Sequence, residues 1–215
     1  MVYNLSANTS ILNEYIAELR DVEIQKDSMR FRKNLERIAE IMAYEVSKTL
    51  TYKNISVTTP LGVSEEKVLS EQPVLATILR AGIAMHQGFL NYFDKSNSAF
   101  VSAYRKYTNA EKFDIYVEYV TAPVIQDKVL IITDPMLATG ASMVTSYRAL
   151  LKYGKPTSII ICVVIASQEA IDYVRKHMPA GTAIYVGAID TELTAQSYIV
   201  PGLGDVGDLA FGKKQ

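Results

Sequence analysis

Asp134 is a carboxylate placed where a run of branched apolar residues gives way to small and hydroxyl-bearing ones, in VLIITDPMLATGAS at residues 129–142. If a helix begins at the end of this segment, its first backbone N–H groups are unpaired and carry the positive end of the helix dipole. Gly140 would let the backbone approach a ligand closely, and Thr139 and Ser142 add hydroxyl donors. The segment therefore predicts a phosphate site.

A phosphate does not explain the carboxylate of Asp134, because like charges repel. A carboxylate is suited to accepting hydrogen bonds from hydroxyl groups, such as those of a ribose. A phosphorylated sugar would satisfy both parts of the segment. The alternative is that Asp134 only caps the turn before Pro135, which is a common role of aspartate.

Two arginines stand at the ends of neighbouring apolar runs, Arg80 in ILRAG at residues 78–82 and Arg105 in AYRKY at residues 103–107. A guanidinium group can bind phosphate oxygens in a forked geometry, so both are candidates for contact with an anion. The alternative for Arg80 is an ion pair with a surface carboxylate. The residues after Arg105 predict a long hairpin that could close over a site.

Other nucleotide-binding motifs do not fit the chain. GKPT at residues 154–157 continues into proline and does not complete G-x-x-x-x-G-K-[ST]. GLGDVG at residues 202–207 matches G-x-G-x-x-G, but it follows Pro201 and no helical pattern stands behind it. A match without a preceding strand and a following helix is weak.

Alternating strands and helices must position these loops from Pro73 onward. The runs VLATIL, AFVSAY, KVLIIT, SIIICVVIA and AIYVGAI predict strands, and GIAMHQGFLNYF, SMVTSYRALLKYG and SQEAIDYVRKHM predict helices between them. Continuous apolar strands are typical of parallel sheets covered on both faces. The predicted class is α/β, an open and mainly parallel sheet with flanking helices. Ligands bind beyond the carboxyl ends of such strands, where the three loops lie.

The first third of the chain predicts two helices and a hairpin. Residues 28–50 carry apolar side chains at the spacing of one buried helix face. An N-terminal helix precedes them, with Ile11, Tyr15, Ile16 and Leu19 available for a partner. NISVTTP and EKVLSE flank the turn-like PLGVS and predict a β-hairpin arm.

Composition restricts the class of protein. The chain has 22 basic and 23 acidic residues and a formal charge of -1, which speaks against nucleic acid as its main partner. The longest apolar run, IIICVVIA, is far shorter than the ~20 residues of a membrane helix, and the N-terminus lacks a signal-peptide pattern. We expect a cytoplasmic protein with no nucleic-acid or membrane partner, formed by a single domain over residues 1–215.

Several reactive residue types receive structural interpretations. Cys162 lies inside an apolar run, which predicts a small buried hydrophobe. His86 and His177 have no second ligand at metal spacing, which predicts surface histidines and no zinc site. The scatter of the 14 tyrosines favours cores and hairpin faces over a base-stacking platform.

The chain resembles the uracil phosphoribosyltransferases, members of the type I phosphoribosyltransferase fold. The matching pieces are ILRAG, YRK, DPMLATGAS and YIVPGLGDVGD, and the similarity covers nearly the whole chain. The resemblance implies transfer of the phosphoribosyl group from 5-phosphoribosyl 1-diphosphate to uracil, giving UMP and diphosphate in pyrimidine salvage. It also implies Mg²⁺ carried by the diphosphate and a homodimer or higher homo-oligomer.

The resemblance assigns binding roles to individual residues. Contacts with phosphoribosyl diphosphate would come from Arg80, Arg105, Asp134, Pro135, Met136, Leu137, Ala138, Thr139, Gly140, Ala141, Ser142 and Asp205. Contacts with uracil would come from Ile199, Gly204, Asp205 and Val206. Three departures stand out. Many phosphoribosyltransferases outside this subfamily have two adjacent acids where this chain has Asp134 and Pro135, Ala141 stands where the family usually has glycine, and Val206 replaces the usual alanine. Val206 predicts a narrower base pocket.

The resemblance also makes Asp134, Arg80 and Arg105 the catalytic residues. Breaking the bond from ribose C1 to diphosphate builds positive charge on the sugar and negative charge on the leaving group. A carboxylate beside the ribose and arginines with Mg²⁺ beside the diphosphate oppose those charges. No side chain is needed as a nucleophile. The alternatives are an enzyme of the same fold that uses another base, and a regulator that senses a nucleotide while binding RNA or DNA.

The segment YIVPGLGDVGD predicts how the base is recognised. Pro201, Gly202, Gly204 and Gly207 indicate a tight loop with little side-chain bulk. A small planar base beside such a loop would be recognised mainly by backbone N–H and C=O groups.

Overall fold

The structure is a computed structural model that describes residues 1–107 and 113–213, with the backbone alone for residues 104–107 and 113–115. The helices are α1 (Ile11–Arg20), α2 (Ser28–Ser47), α3 (Ile83–Leu90), α4 (Ala141–Leu150), α5 (Gln168–His177) and α6 (Val206–Phe211). The strands are β1 (Val2–Asn4), β2 (Tyr52–Thr59), β3 (Gly62–Leu69), β4 (Val74–Leu79), β5 (Asn97–Tyr107), β6 (Phe113–Thr121), β7 (Val129–Thr133), β8 (Met136–Leu137), β9 (Ser158–Ser167), β10 (Ala183–Asp190), β11 (Glu192–Leu193) and β12 (Ile199–Val200). Within these residues, no helix is long and apolar enough to cross a membrane.

One mixed sheet organises the described chain, with strand order β1-β10-β9-β7-β4-β5-β6 and with β8 beside β9. The pairings are parallel except that of β6, which runs antiparallel to β5. Each strand predicted from an apolar run is present, and a helix follows β4, β9 and the loop after β7. The predicted α/β class with an open, mainly parallel sheet is confirmed.

Strand β9 shows why the central runs are apolar without interruption. Cys162 and Val164 belong to the core cluster formed with α1 and α2, whereas Ile161 and Val163 belong to the cluster formed with α4 and α5. Successive strand residues point to opposite faces, so a strand covered on both faces needs apolar residues throughout. Cys162 is fully buried, as predicted, and burial raises the pKa of its thiol.

The first two helices form as predicted, but α1 is covered differently. Its side chains pack against α2 and β10. Ile16 and Leu19 are buried in the core of the chain itself, so the expectation that they are available for a partner is wrong. Ile11 remains exposed. Apolar spacing identifies the buried face of a helix and does not identify the element that covers it.

The predicted hairpin arm is confirmed. Strands β2 and β3 pair in antiparallel register from Tyr52 opposite Leu69 to Thr59 opposite Gly62, and they form a sheet of their own. Most residues of the arm are exposed, and Leu61 at its tip is fully exposed.

His86 is buried, so its prediction as a surface residue is wrong. Its Nε2 lies 2.9 Å from the Ser98 hydroxyl oxygen, its ring lies 5.1 Å from that of Phe100, and burial lowers its pKa to about 4. It lies on α3, a short helix that packs against α2. His177 is half-buried and stacks on Tyr173.

Candidate functional site

A cavity of about 1090 Å³ opens where β4 and β7 end. Three segments surround it: the residues after β4, the residues between β7 and α4, and the residues between β11 and α6. Of the residues predicted from the sequence, those that line it are Arg80, Asp134, Met136, Leu137, Ala138, Thr139, Gly140, Ser142, Ile199, Gly204 and Asp205. The structure therefore brings together segments that the sequence separates by more than a hundred residues.

The phosphate loop, residues 134–142, joins β7 to α4 and contains β8. Its Gly140 precedes the first residue of α4 with φ +79°, and a Cβ there would approach the Tyr173 ring and the Val174 side chain to 3.0 Å. Glycine is required by both the backbone conformation and the close packing. The Ala141 N–H donates weakly to the Thr139 hydroxyl at 3.4 Å. Because Gly140 has no side chain to cap α4, the amide groups that follow have no cap from it and can bind an anion.

Asp134 makes the turn-capping contact and also faces the cavity, so its position is compatible with both interpretations of the sequence. Its carboxylate lines the cavity and also accepts a hydrogen bond from the backbone N–H of Met136, which is the turn-capping contact. Its own backbone N–H donates to the carbonyl of Cys162 at 3.2 Å. Burial raises the pKa of the carboxyl group to about 7, although the Met136 amide opposes the shift. The carboxyl is thus fixed in place and can exchange a proton near neutral pH.

Arg80 follows β4 after a cis peptide bond with Leu79 and lies at the edge of the cavity. Its Nη2 donates to the Gly212 carbonyl at 3.0 Å and lies 3.3 Å from an Asp208 carboxylate oxygen, so the ion pair considered from the sequence does form. Its Nε is buried and has no hydrogen-bond partner among the described residues. A buried donor without an acceptor is unfavourable, and an oxygen of a bound anion would satisfy it.

The base loop, residues 199–205, begins with β12, which pairs with β11 in a two-stranded sheet. Gly202 and Gly204 have φ of +62° and +85°, and a side chain at Gly202 would collide with the Ile199 carbonyl. Asp205 lines the cavity and also caps α6, where its carboxylate accepts a hydrogen bond from the Asp208 amide at 3.0 Å. The loop is as tight as the sequence predicts.

The helix after the base loop corrects two sequence-based interpretations. The sequence shows no helical pattern after GLGDVG, but α6 begins at Val206. Its six residues are too few to produce a visible apolar period. The Val206 side chain is fully buried in the core and does not line the cavity, so the prediction that its bulk narrows the base pocket is wrong.

Three other predicted contacts do not line the cavity through described side chains. Pro135 is a buried residue of the phosphate loop, and Ala141 is the partly buried first residue of α4. The backbone of Arg105 lies in β5 opposite Ile115, and its side chain lies outside the described residues. The residues after Arg105 do not form a hairpin by themselves as predicted: residues 113–121 are the single strand β6, which pairs with β5, and residues 108–112 lie outside the described residues. Ala103 of β5 and Glu118 of β6 border the cavity.

Sequence reasoning missed several residues that line the cavity. Thr194 and Tyr198 precede the base loop, and Glu118 comes from β6. Tyr198 is the first residue of YIVPGLGDVGD, so its place in that segment was a usable signal. Glu118 lies in an alternating hairpin strand, where nothing local distinguishes it from a solvent-facing glutamate.

Comparison with known proteins identifies the family. The model of the family described as uracil phosphoribosyltransferase matches residues 6–213. A uracil phosphoribosyltransferase of Porphyromonas gingivalis is 57% identical over 213 residues, which cover 99% of each chain. A solved structure of an Aquifex aeolicus protein superimposes with a TM-score of 0.87 at 27% identity, covering 99% of this chain and 98% of that one.

A more distant likeness concerns the fold alone. A hypoxanthine phosphoribosyltransferase of Staphylococcus aureus superimposes with a TM-score of 0.50 at 15% identity, over 75% of this chain and 76% of that chain. This likeness supports the type I phosphoribosyltransferase fold. With a family match over nearly its whole length and a cavity lined by the matching motifs, this chain belongs to the uracil phosphoribosyltransferase family.

Proposed function

We propose that this chain transfers the phosphoribosyl group of 5-phosphoribosyl 1-diphosphate to uracil, forming UMP and diphosphate in pyrimidine salvage. One observation carries the proposal: a single cavity is bordered by an aspartate, a helix start without a side-chain cap, an arginine and a glycine-rich loop. These groups match a sugar, a phosphate, a diphosphate and a small base in turn. The family membership supports the same reaction.

The phosphate loop would hold the ribose 5-phosphate. The amides at the start of α4, with the hydroxyls of Thr139 and Ser142, would donate to the 5′-phosphate. Asp134 would accept hydrogen bonds from the ribose hydroxyls, and its negative charge would stabilise the positive charge that develops on the sugar as the C1–oxygen bond breaks. The rigid Gly140 turn would keep the phosphate and the carboxylate at a fixed separation.

The diphosphate would lie toward Arg80, Arg105 and Asp205. The buried Nε of Arg80, which lacks a partner among the described residues, supports this placement because an anion would complete its hydrogen bonding. Asp134 and Asp205 bring carboxylate oxygens to the cavity, and oxygen is the ligand that Mg²⁺ prefers. We propose that Mg²⁺ enters on the diphosphate. Bound there, Mg²⁺ would add positive charge to the leaving group.

The base loop would recognise uracil through its backbone. Uracil presents an acceptor, a donor and an acceptor along O2, N3–H and O4, whereas cytosine presents a bare nitrogen in place of N3–H and an amino donor in place of O4. A backbone amide facing O4 and a carbonyl facing N3–H would therefore pair with uracil and oppose cytosine. Two buried mismatches at about 1 to 3 kcal/mol each give discrimination on the order of 10² to 10⁴-fold.

We also propose a single-domain, cytoplasmic enzyme that forms a homodimer or higher homo-oligomer and has no nucleic-acid or membrane partner. The near-neutral formal charge of -1 supports the absence of a nucleic-acid partner. The exposed arm formed by β2 and β3 is compatible with contact between copies of the chain.

The deciding experiment measures UMP and diphosphate formed from phosphoribosyl diphosphate, Mg²⁺ and one of four bases: uracil, cytosine, hypoxanthine or orotate. We expect equal amounts of UMP and diphosphate with uracil, and kcat/KM for the other bases lower on the order of 10²-fold or more. A preparation from cells that carry the empty expression vector serves as the control for contaminating activity. Preference for a purine, or equal use of uracil and cytosine, would reject the proposed function.

A further inference from the structure

Arg20 and Asp190 form an ion pair behind the cavity, and neither residue lines it. Arg20 is the last residue of α1, and Asp190 is the last residue of β10. The Arg20 Nη1 and Nη2 atoms donate to the two Asp190 carboxylate oxygens at 2.9 and 2.7 Å, which is the forked geometry of a strong charge-assisted pair.

The same two side chains bind both backbone groups of Gly202. The Arg20 Nη1 donates to the Gly202 carbonyl at 2.9 Å, and the Gly202 N–H donates to an Asp190 carboxylate oxygen at 3.1 Å. Gln25 in turn donates to the carbonyls of Leu19 and Arg20, which fixes the end of α1 that carries the arginine. One residue of the base loop is therefore attached to the body of the chain from two sides.

The place of Gly202 within the base loop gives this contact its meaning. Every residue from 199 to 205 lines the cavity except Gly202, which is buried and faces Arg20 and Asp190. Fixing the one residue that faces away fixes the positions of its neighbours, Pro201 and Leu203, which face the cavity. If backbone groups recognise the base, their positions decide which base fits.

Stability alone explains the pair poorly. The side chain of Asp190 is only 6% exposed and that of Arg20 only 23%, and removing two charges from water is unfavourable enough that buried pairs often contribute little net stability. A pair of this kind is better suited to fixing a particular geometry, and here the geometry is that of the base loop.

We propose that Arg20 and Asp190 are positioning residues that act through Gly202 to set the affinity and selectivity for the pyrimidine base. The inference rests on the proposed function, since it assigns these residues to the base side of that site. The phosphate loop connects β7 to α4. Among the described residues, it makes no hydrogen bond to the side chain of Arg20 or Asp190. The effect should therefore fall on the base and leave phosphoribosyl diphosphate unaffected.

The test compares three variants with a matched control. Arg20→Met removes the bonds from Arg20 to Asp190 and to the Gly202 carbonyl. Arg20→Lys keeps the charge without the fork, and Asp190→Asn keeps an acceptor for the Gly202 amide without the charge. Arg30→Met is the control, because Arg30 pairs with Glu18 and so also links α1 to α2, but it does not contact the base loop. Thermal unfolding, kcat, and KM for each substrate are measured for all of them and for the wild-type protein.

For Arg20→Met we expect KM for uracil to rise about tenfold or more and the preference for uracil over cytosine to shrink, with KM for phosphoribosyl diphosphate within about twofold. Arg20→Lys and Asp190→Asn should give intermediate values, and Arg30→Met should match the wild type. If Arg20→Met does not fold, the two conservative variants decide the question.

Two outcomes would overturn the inference: folded variants whose KM for uracil stays unchanged, or variants in which both KM values rise together in proportion to lost thermal stability. Wild-type protein that makes no UMP would reject the proposed function itself. Wild-type UMP formation with unchanged uracil KM in the variants would reject only the role of Arg20 and Asp190.

Discussion

The phosphate loop and the base loop border one cavity but are held in place by different means. The phosphate loop is continuous with the central sheet, because it leaves β7, pairs briefly with β9 through β8, and enters α4. The base loop begins in a small separate sheet and is fixed by the side chains of Arg20 and Asp190, which are 170 residues apart in the chain. The first is shaped by secondary structure, and the second depends on tertiary contacts.

This difference predicts which changes will affect which substrate. Changes in the phosphate loop should alter phosphoribosyl diphosphate binding and the chemical step. Changes around the base loop should alter the use of the base while leaving the sugar phosphate alone. The variants below test that separation, from the largest expected effect to the smallest.

Asp134→Asn should lower kcat/KM by at least ~10²-fold, because it removes the charge that faces the sugar in the transition state. The amide keeps the shape of the side chain and can still accept from the Met136 N–H, so the fold should be intact. Steady-state kinetics and circular dichroism measure the two effects. Near-normal turnover would leave Asp134 with the capping role alone.

Arg80→Ala should lower kcat/KM by about 10 to 10²-fold through both weaker phosphoribosyl diphosphate binding and slower chemistry, since the lost charge faces the leaving group. Asp208→Asn is the matched control, because it removes the carboxylate paired with Arg80 and leaves the guanidinium in place. Kinetics at saturating phosphoribosyl diphosphate separate the two contributions. Full recovery of kcat at saturation would restrict Arg80 to binding.

The pH dependence of activity should follow Asp134, whose pKa is raised to about 7 by burial. Only the carboxylate opposes the charge on the sugar, so kcat/KM for phosphoribosyl diphosphate should fall about tenfold per pH unit below pH 7. Asp134→Asn should lack this limb. A wild-type profile that stays flat down to pH 5 would contradict the assignment.

Stability gives an independent measure of the same group. Between the ordinary pKa of 3.8 and the folded value of about 7, the folded chain keeps a proton that the unfolded chain has lost. The contribution of this group to the free energy of unfolding is therefore greatest below pH 3.8, declines as the pH rises and becomes constant above pH 7. The melting temperature of Asp134→Asn relative to that of the wild type should therefore increase as the pH rises from 3.8 to 7.

Two glycine variants compare the loops directly. Gly140→Ala and Gly202→Ala both place a side chain at positive φ, which costs roughly 1–2 kcal/mol of strain before any collision. We expect Gly140→Ala to raise KM for phosphoribosyl diphosphate about tenfold and Gly202→Ala to raise KM for uracil by a similar factor. If each variant raises both KM values equally, the two loops are not independent.

Val206→Ala should affect activity least. Because the side chain is buried in the core, we expect about 1 kcal/mol or somewhat more of lost stability by denaturant unfolding. The relative kcat/KM for uracil and for uracils substituted at C5 should change less than about twofold. A clear increase in the relative kcat/KM for the bulkier bases would show that the Val206 side chain limits the size of the base pocket.

Local patterns were sufficient for the central fold and for the phosphate loop. The strands were recognisable because burial on both faces demands uninterrupted apolar residues, as in β9. Asp134 and Gly140 were recognisable because a strand, a tight turn and a helix start are adjacent in the chain. In these regions the residues that make the structure are neighbours in sequence.

Tertiary contacts account for what local patterns did not predict. The apolar face of α1 was visible, but its cover, formed by α2 and β10, was not. His86 and Val206 carry no local sign of burial, and Arg20 and Asp190 look like an ordinary helix-end arginine and strand-end aspartate until Gly202 is seen between them. Such pairs can be inferred only once the chain has been folded.

The burial of Cys162 makes the chain suitable for a labelling experiment. It is the only cysteine in the sequence, and it lies fully buried in the middle of β9. An alkylating reagent needs both access and a thiolate, and the folded sheet denies it both, because burial also raises the thiol pKa. The rate of single-site labelling with an excess of reagent therefore reports how often the central sheet opens. No engineered probe is needed, and any variant described above can be measured in the same way.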